Sequence, residues 1–354
     1  MTSIISVILV LGGLIFFHEL GHYLAARMLG IGVHAFSLGF GPRIFGWRRG
    51  KTDYKLSLVP LGGYVSLAGE SGDEVSETFE KGELFCHRPA WHRLIVVAAG
   101  PLFNLLLAWL IYWGLIWTHG QFILLPEVGA VNEGTPAAMA GVQAGDRVLT
   151  IDGHTIETWD NVSERIAASQ GAPITIELGR DNDIISLRIV PEERLRKTIF
   201  GDEERAFLIG IQASGNINNI TLPFGEAAIA GLKQTKQMIV ITAEGVGKLI
   251  ERVVPMESVG GPIMIAQLVG QEANNTGLVG VLALAALISI NLGLLNLLPV
   301  PVLDGGHIVF LTIEMIIRRP VPAKIQEMTT RVGIVLLLGL MLLATYNDIV
   351  RAIK

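Results

Sequence analysis

His18-Glu19-Leu20-Gly21-His22 directly follows an apolar run, residues 4–17, that carries no ionisable side chain. On a helix, residues four apart share one face, so His18 and His22 can present two imidazoles to one metal ion with Glu19 beside them as a base. Placing three ionisable groups next to such a run is costly in hydrocarbon unless they have a function. The stretch therefore predicts a hydrolytic zinc site inside a transmembrane helix.

The alternative is a chance match, which we expect about once in a hundred soluble chains of this length. A chance match is less plausible here because a hydrocarbon environment selects against His and Glu.

Composition bounds the class of protein. The chain has 354 residues, of which 51% are hydrophobic and 17% are charged, and its mean hydropathy is +0.52. These values predict a polytopic α-helical membrane protein with some soluble mass. A net charge of -5 and no basic run argue against nucleic acid as a partner. Cys86 is the single cysteine, so His and carboxylate side chains must hold any metal.

About four transmembrane helices are expected, since four apolar segments can cross roughly 30 Å of hydrocarbon. The predicted spans are residues 1–29, 92–118, 277–319 and 331–351. The third is too long for one straight crossing, and Pro299 and Pro301 predict where its helix breaks. Residues 1–29 are interpreted as a retained span rather than a signal peptide, because the first six residues carry no basic side chain and no cleavage site follows.

Basic residues near the span ends predict the orientation. They lie in the loop after the first span and before the fourth span, at Arg43, Arg48, Arg49, Lys51, Lys55, Arg318, Arg319, Lys324 and Arg331. By the positive-inside rule these loops are cytoplasmic, both termini are extracytoplasmic, and the loop between spans two and three is extracytoplasmic.

The cytoplasmic loop, residues 30–91, alternates polar and apolar residues between 31 and 67. This pattern predicts a small membrane-associated β-sheet beside the first span, and an edge strand of it is a candidate for pairing with an extended peptide. The predicted turn residues are Gly39, Gly41, Pro42, Gly62 and Gly63.

Residues 122–213 predict an inserted, mostly β domain, with a short helix at 136–140 and a Gly-Asp turn. The run GTPAAMAGVQAGDRVLTIDG at 134–153 resembles a PDZ domain of the circularly permuted bacterial type, and FLIGI at 207–211 resembles its closing strand. PDZ domains bind extended peptides, often at a C-terminal carboxylate. A β domain used only as a spacer is the alternative. Residues 214–276 predict amphipathic helices on the outer membrane surface.

Two histidines leave zinc short of a ligand, and Asp304 is the best candidate for the third. It lies in NLLPVPVLDGGH at 296–307, and its predicted depth matches that of His18. The prolines release the backbone from helix, while Gly305 and Gly306 permit close approach. His307 competes for this role, and a cytoplasmic turn is the other interpretation of Asp304.

The motifs HELGH at 18–22, GPLFN at 100–104 and NLLPVPVLDGGH at 296–307, with GFGP at 39–42, resemble the site-2 protease family of intramembrane zinc metalloproteases. The resemblance covers nearly the whole chain and is strongest to the bacterial RseP-like branch. It implies one Zn²⁺ per chain bound by His18, His22 and Asp304, with Glu19 activating water. It also implies that Asn104 and Asn296 hold the substrate backbone, although interhelical hydrogen bonds that pack the bundle are the alternative.

The same resemblance implies a multi-pass protein of the bacterial cytoplasmic (inner) membrane with its active site toward the cytoplasm. Its expected partners are the lipid bilayer and single-span substrates, such as anti-sigma factors already shortened outside by another protease. The PDZ domain would exclude large substrates or read their new C-termini. Well-known members carry two tandem PDZ domains, whereas this chain has room for one.

Two other functions fit parts of the sequence. A non-catalytic receptor or scaffold would use the PDZ domain for recruitment and the metal for structure. A metal transporter is less consistent with four spans, no inverted repeat and a base adjacent to the ligands.

Overall fold

The computed structural model describes residues 2–70 and 78–353, without the side chains of residues 2–5, 60 and 61. The helices are α1 (Thr2–Met28), α2 (Ala90–His119), α3 (Pro136–Ala140), α4 (Trp159–Ala168), α5 (Phe224–Ile250), α6 (Pro262–Asn275), α7 (Gly277–Asn296), α8 (Asp304–Ile317) and α9 (Ala323–Ile353). The strands are β1 (Val33–Arg49), β2 (Thr52–Leu67), β3 (Gln121–Leu124), β4 (Val128–Val131), β5 (Arg147–Ile151), β6 (His154–Thr155), β7 (Ile174–Arg180), β8 (Asp183–Ile189), β9 (Glu192–Lys197), β10 (Glu203–Leu208), β11 (Ile211–Ala213) and β12 (Ile217–Ile220).

The chain divides into two compact units. One comprises Met1–Leu115 and Ala228–Lys354, and we call it the helical unit. The other comprises Ile116–Ala227, and we call it the inserted unit.

Four helices within the described residues are long and apolar enough to cross a membrane, by length and composition. They are Ser6–Met28 of α1, then α2, α7 and α9. These four helices fit the expectation of a helical membrane protein.

The predicted third span is two helices joined by residues 297–303. Helix α7 ends at Asn296, and α8 begins at Asp304. Pro299 and Pro301 lie in this connection. They prevent one continuous helix, because proline has no N–H to donate to a helix and its ring clashes with the preceding turn.

The strands β1 and β2 pair with each other and bend sharply at glycines. Leu38 has backbone partners on both sides, Leu56 and Gly63, so the sheet is broader than a simple hairpin. Gly39 has φ +89° and Gly62 has φ +136°, conformations that a residue with a Cβ rarely adopts. The expected turn residues therefore lie within the two strands, where the register shifts, and the turn that joins β1 to β2 is instead at Gly50 and Lys51.

Helix α6 differs from the helices expected on the membrane surface. Its Val269 is 0% exposed and packs against Leu14 of α1 and Ile288 of α7. Ile265 and Val10 join this cluster, so the contact of α6 with α1 extends over about one helical turn of α6. An amphipathic pattern is equally consistent with a helix that buries its apolar face against other helices, and that is what α6 does.

Helix α5 also packs against the spans. Its Met238 and Ile239 contact the cluster of Ala108, Ala286 and Ile290 from α2 and α7. The middle of α5 is therefore packed against α2 and α7, while other apolar positions of the helix, such as Ile229 and Leu232, are exposed.

The inserted unit is built on a four-stranded sheet of order β6-β5-β7-β8. Three further pairs, β11 with β4, β10 with β9 and β12 with β3, complete its strands. Its core is a cluster of small and branched side chains: Val128, Ala137, Val142, Val148, Ile151, Ile156, Val162, Ile166, Ile174, Ile176, Leu178, Ile189 and Ile209. The structure has the short helix expected at 136–140 as α3.

The prediction of one closing strand at 207–211 is wrong, because this segment is divided between two strands. Strand β10 ends at Leu208 and β11 begins at Ile211, with Gly210 at φ +88° between them. This left-handed conformation interrupts the extended chain, so the segment belongs to two strands with different partners.

A buried ion pair holds the Gly-Asp turn of the inserted unit. Asp146 is 0% exposed, its Oδ1 accepts from Nε of Arg180 at 2.6 Å, and its Oδ2 accepts from the Gln143 backbone N–H at 2.8 Å. Burial acts to raise the pKa of Asp146, but these two donors bind its charged form and hold the pKa below its usual value.

We therefore expect acid to loosen this unit. Because the folded pKa of Asp146 lies below the unfolded one, its contribution to stability is complete above the unfolded pKa, about 3.9, and disappears as pH falls through the folded pKa. The stability of the inserted unit can be measured by hydrogen exchange of the full chain, as the protection factors of the β5 and β7 amides. Arg180→Gln should lower protection at neutral pH, and equal protection in both proteins would contradict the argument.

Candidate active site

Three potential metal ligands meet in the helical unit. His18 and His22 lie one turn apart on α1, and their Nε2 atoms are 3.2 Å apart. Asp304, the first residue of α8, has Oδ2 at 3.1 Å from Nε2 of His18 and Oδ1 at 3.6 Å from Nε2 of His22. One ligand atom from each residue lies within 4.8 Å of the others, so the three could hold one ion.

These distances fit zinc. Four ligands at about 2.0–2.1 Å in a tetrahedron stand roughly 3.3 Å from one another. The observed separations of 3.1, 3.2 and 3.6 Å bracket that value. Two imidazoles and one carboxylate are a ligand set of catalytic zinc sites, which keep a fourth position open for water.

Glycines allow α1 and α2 to meet at the histidines. A Cβ on Gly21 would lie 2.4 Å from the carbonyl oxygen of Ala99, and a Cβ on Gly100 would lie 2.3 Å from Nε2 of His22. Both distances are far inside van der Waals contact, so a side chain at either position must push the helices apart. Gly21 of HELGH and Gly100 of GPLFN thus lie on the two sides of one contact between α1 and α2.

Gly100→Ala should displace His22 and weaken zinc binding. We expect at least the roughly tenfold loss of affinity that follows when a ligand's supporting contact is removed. The matched control is Gly114→Ala on the same helix, where a new Cβ meets nothing within 4 Å. Chelator competition gives both dissociation constants, and equal values for the two variants would refute the proposed packing effect.

Asp304 is positioned by the break before α8. A Cβ on Gly305 would lie 2.1 Å from the carbonyl oxygen of Leu298, and one on Gly306 would lie 2.4 Å from that of Val300. The two glycines therefore let residues 297–303 fold tightly against the start of α8. The carboxylate also lies at a helix N-terminus, where unpaired N–H groups favour negative charge.

Glu19 lies beside the cluster without belonging to it. Its carboxylate accepts a hydrogen bond from the backbone N–H of Val65 in β2. It lines a cavity of about 370 Å³ together with His18, His22 and Asp304. The arrangement places a carboxylate base beside the three potential metal ligands and leaves space for a peptide.

Several cavity residues escaped sequence-based prediction. They are Tyr64, Glu70, Arg93, Glu314 and Gln326. Arg93 of α2 forms a close ion pair with Glu314 of α8, but 221 positions separate the two residues. No local pattern signals such a pair. Tyr64, Arg93 and Glu314 lie inside predicted elements, and Glu70 follows the apolar end of β2, but no motif marks any of them as part of the cavity.

Asn104 contacts the cluster through His18. Its side chain is buried, and its Nδ2 is 3.3 Å from Nδ1 of His18. The corresponding Nδ1 of His22 lies 2.8 Å from the carbonyl oxygen of Val96. The backbone oxygen of Asn104 accepts a hydrogen bond from Oγ of Ser289 at 2.7 Å, which ties α2 to α7.

His307, the competing ligand candidate, and Asn296, the second candidate for binding substrate, lie apart from the cluster. His307 lines the same cavity but lies one turn beyond Asp304 along α8, outside the group of three. Asn296 is the last residue of α7 and is not among the residues that line the cavity. The structure thus brings together His18, Glu19, His22, Asp304 and Asn104, and it leaves Asn296 at the edge of the break.

Two solved structures are similar to part of this chain. The PDZ domain of the SdrC-like protein of Listeria monocytogenes is 22% identical, with a TM-score of 0.20, over 25% of this chain and 84% of that domain. The corresponding domain of Listeria innocua is 24% identical, with a TM-score of 0.21, over 25% of this chain and 92% of that domain.

Curated relatives match along the whole length. A protein of Agrobacterium fabrum, named as a proposed zinc metalloprotease, is 41% identical over 98% of this chain and 95% of its own. Proteins of Rhizobium meliloti and Campylobacter jejuni with the same designation are 38% and 36% identical, over 95% and 99% of this chain and 93% and 94% of theirs.

A family model covers the same length. The model of peptidase family M50 matches residues 6–340, which contain all three motifs and every residue of the cluster. The resemblance drawn from the motifs is confirmed, and the chain belongs to peptidase family M50, the site-2 protease family.

Proposed function

We propose that this protein is an intramembrane zinc endopeptidase that hydrolyses peptide bonds within transmembrane segments of single-span proteins. The observation that carries the proposal is the cluster of His18, His22 and Asp304 with Glu19 on the same cavity. Helix α1, which carries His18, Glu19 and His22, and helix α2, which lines the same cavity, are long and apolar enough to span a membrane. Such groups in that setting favour catalysis over a structural role.

Each residue of the site has a proposed role. His18, His22 and Asp304 hold one Zn²⁺ per chain, which when bound polarises the substrate carbonyl and acidifies water. Glu19 would act as the general base, taking a proton from a water in the cavity and passing it to the leaving amine. The hydrogen bond from Val65 orients the Glu19 carboxylate toward the cavity.

The substrate helix must unwind locally, because a transmembrane helix hides its peptide bonds in intrahelical hydrogen bonds. Strand β2 reaches the cavity at Tyr64, Val65 and Leu67, so its backbone is close enough to pair with an extended segment. Asn296, at the end of α7, is proposed to bind a freed backbone group of the substrate.

The inserted unit is proposed to be a PDZ domain that selects substrates. Its strand and helix order fits that fold, and a cavity of about 300 Å³ lies between α4 and residues 206–211. The cavity has an apolar lining that includes Trp159, Val162 and Leu208. It suits an apolar C-terminus of a shortened substrate, while exclusion of large substrates is the other role we propose for this unit.

The orientation of the chain in the membrane, which the loop charges predicted, is part of the proposal. Both termini and the inserted unit are extracytoplasmic, and the active site opens toward the cytoplasm of a bacterial inner membrane. The anti-sigma-factor class of substrate is likewise a proposal.

The function is tested with purified protein in liposomes that contain a single-span substrate. We expect cleavage, its loss after treatment with a zinc chelator, and its return when Zn²⁺ is added back in a ratio of one per chain. Cleavage that persists without metal would overturn the proposal. Zinc binding without any cleavage of single-span substrates would favour the receptor with a structural metal.

A further inference from the structure

A metal-binding histidine needs a partner on its second ring nitrogen. When Nε2 of neutral imidazole binds a metal, the proton is on Nδ1, and a hydrogen-bond acceptor there fixes the tautomer and the ring orientation. His22 has such an acceptor, because its Nδ1 is 2.8 Å from the carbonyl oxygen of Val96. Its Nε2 is thereby free to face Asp304.

His18 needs the same support, and Asn104 is next to it. In the part of the chain that the structure describes, the one side chain within hydrogen-bond distance of Nδ1 of His18 is that of Asn104, at 3.3 Å. The atom at that distance is Nδ2, an N–H donor, which cannot accept the Nδ1 proton. Two donors would then face each other.

The other end of the amide is without a partner. Oδ1 of Asn104 is buried and accepts no hydrogen bond from any described residue. The oxygen and nitrogen of an amide have nearly the same shape, so their assignment follows from the hydrogen bonds they can make. Rotating the amide by half a turn puts Oδ1 against Nδ1 of His18 and converts the clash of donors into a hydrogen bond.

We propose that Asn104 is a positioning residue whose side-chain carbonyl accepts the Nδ1–H of His18 and so turns Nε2 toward the metal. This inference rests on the proposed zinc site. It differs from the expected role of Asn104 in binding the substrate backbone, because Asn104 is 1% exposed and its side chain lies against His18.

The surroundings of Asn104 keep it in place. Oγ of Ser289 donates to its backbone oxygen, and a Cβ at Gly293 would lie 3.4 Å from the Asn104 Cβ. Close packing of α7 on α2 thus fixes the position from which Asn104 reaches His18.

Zinc dissociation constants of the purified full chain, measured by competition with a chelator, test the proposal. Asn104→Leu removes the acceptor at similar volume and should weaken zinc about 10- to 100-fold. Asn104→Asp keeps an acceptor oxygen and should bind zinc at least as tightly as the wild type. The matched control is Asn291→Leu, which removes another interhelical hydrogen bond, to Thr242, away from the cluster.

The outcomes separate the possible roles. An Asn104→Leu variant with unchanged zinc affinity and a raised KM would overturn the proposal in favour of substrate binding. If Asn104→Leu does not fold, Asn104→Asp decides alone, because loss of zinc from that variant would show that an acceptor is insufficient. Wild-type protein that binds no zinc would instead overturn the proposed function beneath it.

Discussion

Glu19→Gln is expected to lower the cleavage rate by about two to four orders of magnitude while zinc stays bound. General acid and base catalysis supplies an acceleration of this size, and a glutamine amide cannot take a proton from water. The metal ligands His18, His22 and Asp304 are unchanged in this variant. The glutamine oxygen can still accept the hydrogen bond from Val65, so the local structure should persist.

The variant is judged by two measurements on the same preparation: zinc per chain by elemental analysis, and the initial rate on a single-span substrate in liposomes. Glu226→Gln, an exposed change on α5, is the control and should match the wild type in both. A Glu19→Gln enzyme that retains its activity would show that another group acts as the base.

Asp304→Ala is expected to remove both zinc and activity. The loss of one of three protein ligands should exceed the roughly 10- to 100-fold effect of losing a supporting contact. It also leaves two close imidazoles without the carboxylate that balances the charge of the metal, in a setting where isolated charge is costly.

His307→Ala provides the comparison, because His307 lines the cavity outside the group of three. Zinc affinity of this variant should stay within a few fold of the wild type, measured by the same chelator competition. If His307→Ala lost zinc while Asp304→Ala kept it, the third ligand would be misassigned.

The sequence predicted the parts of this structure that local patterns encode. The length of the apolar segments predicted four candidate spans. The four-residue spacing predicted that His18 and His22 share a helix face, and the prolines predicted the helix break before Asp304. Each of these features depends on residues close together in the chain. The sequence also favoured Asp304 over His307 as the third ligand, and the structure places Asp304, and not His307, in the group of three.

Apart from the grouping of Asp304 with His18 and His22, the contacts between residues far apart in the chain were not predicted from the sequence. Arg93 and Glu314 each look like an ordinary charge at a helix end until the fold pairs them. An apolar periodicity in α6 could not tell a membrane surface from the flank of α1. For Asn104, the sequence showed a polar group in an apolar span, but only the fold shows that it faces His18.

The central claim is that the scissile bond lies within a transmembrane segment. Mass spectrometry of the products from a single-span substrate in liposomes tests it most directly. The account predicts new termini inside the apolar segment with wild-type protein and none with Glu19→Gln. Termini confined to the substrate's soluble parts, or the same cut made by Glu19→Gln, would contradict it.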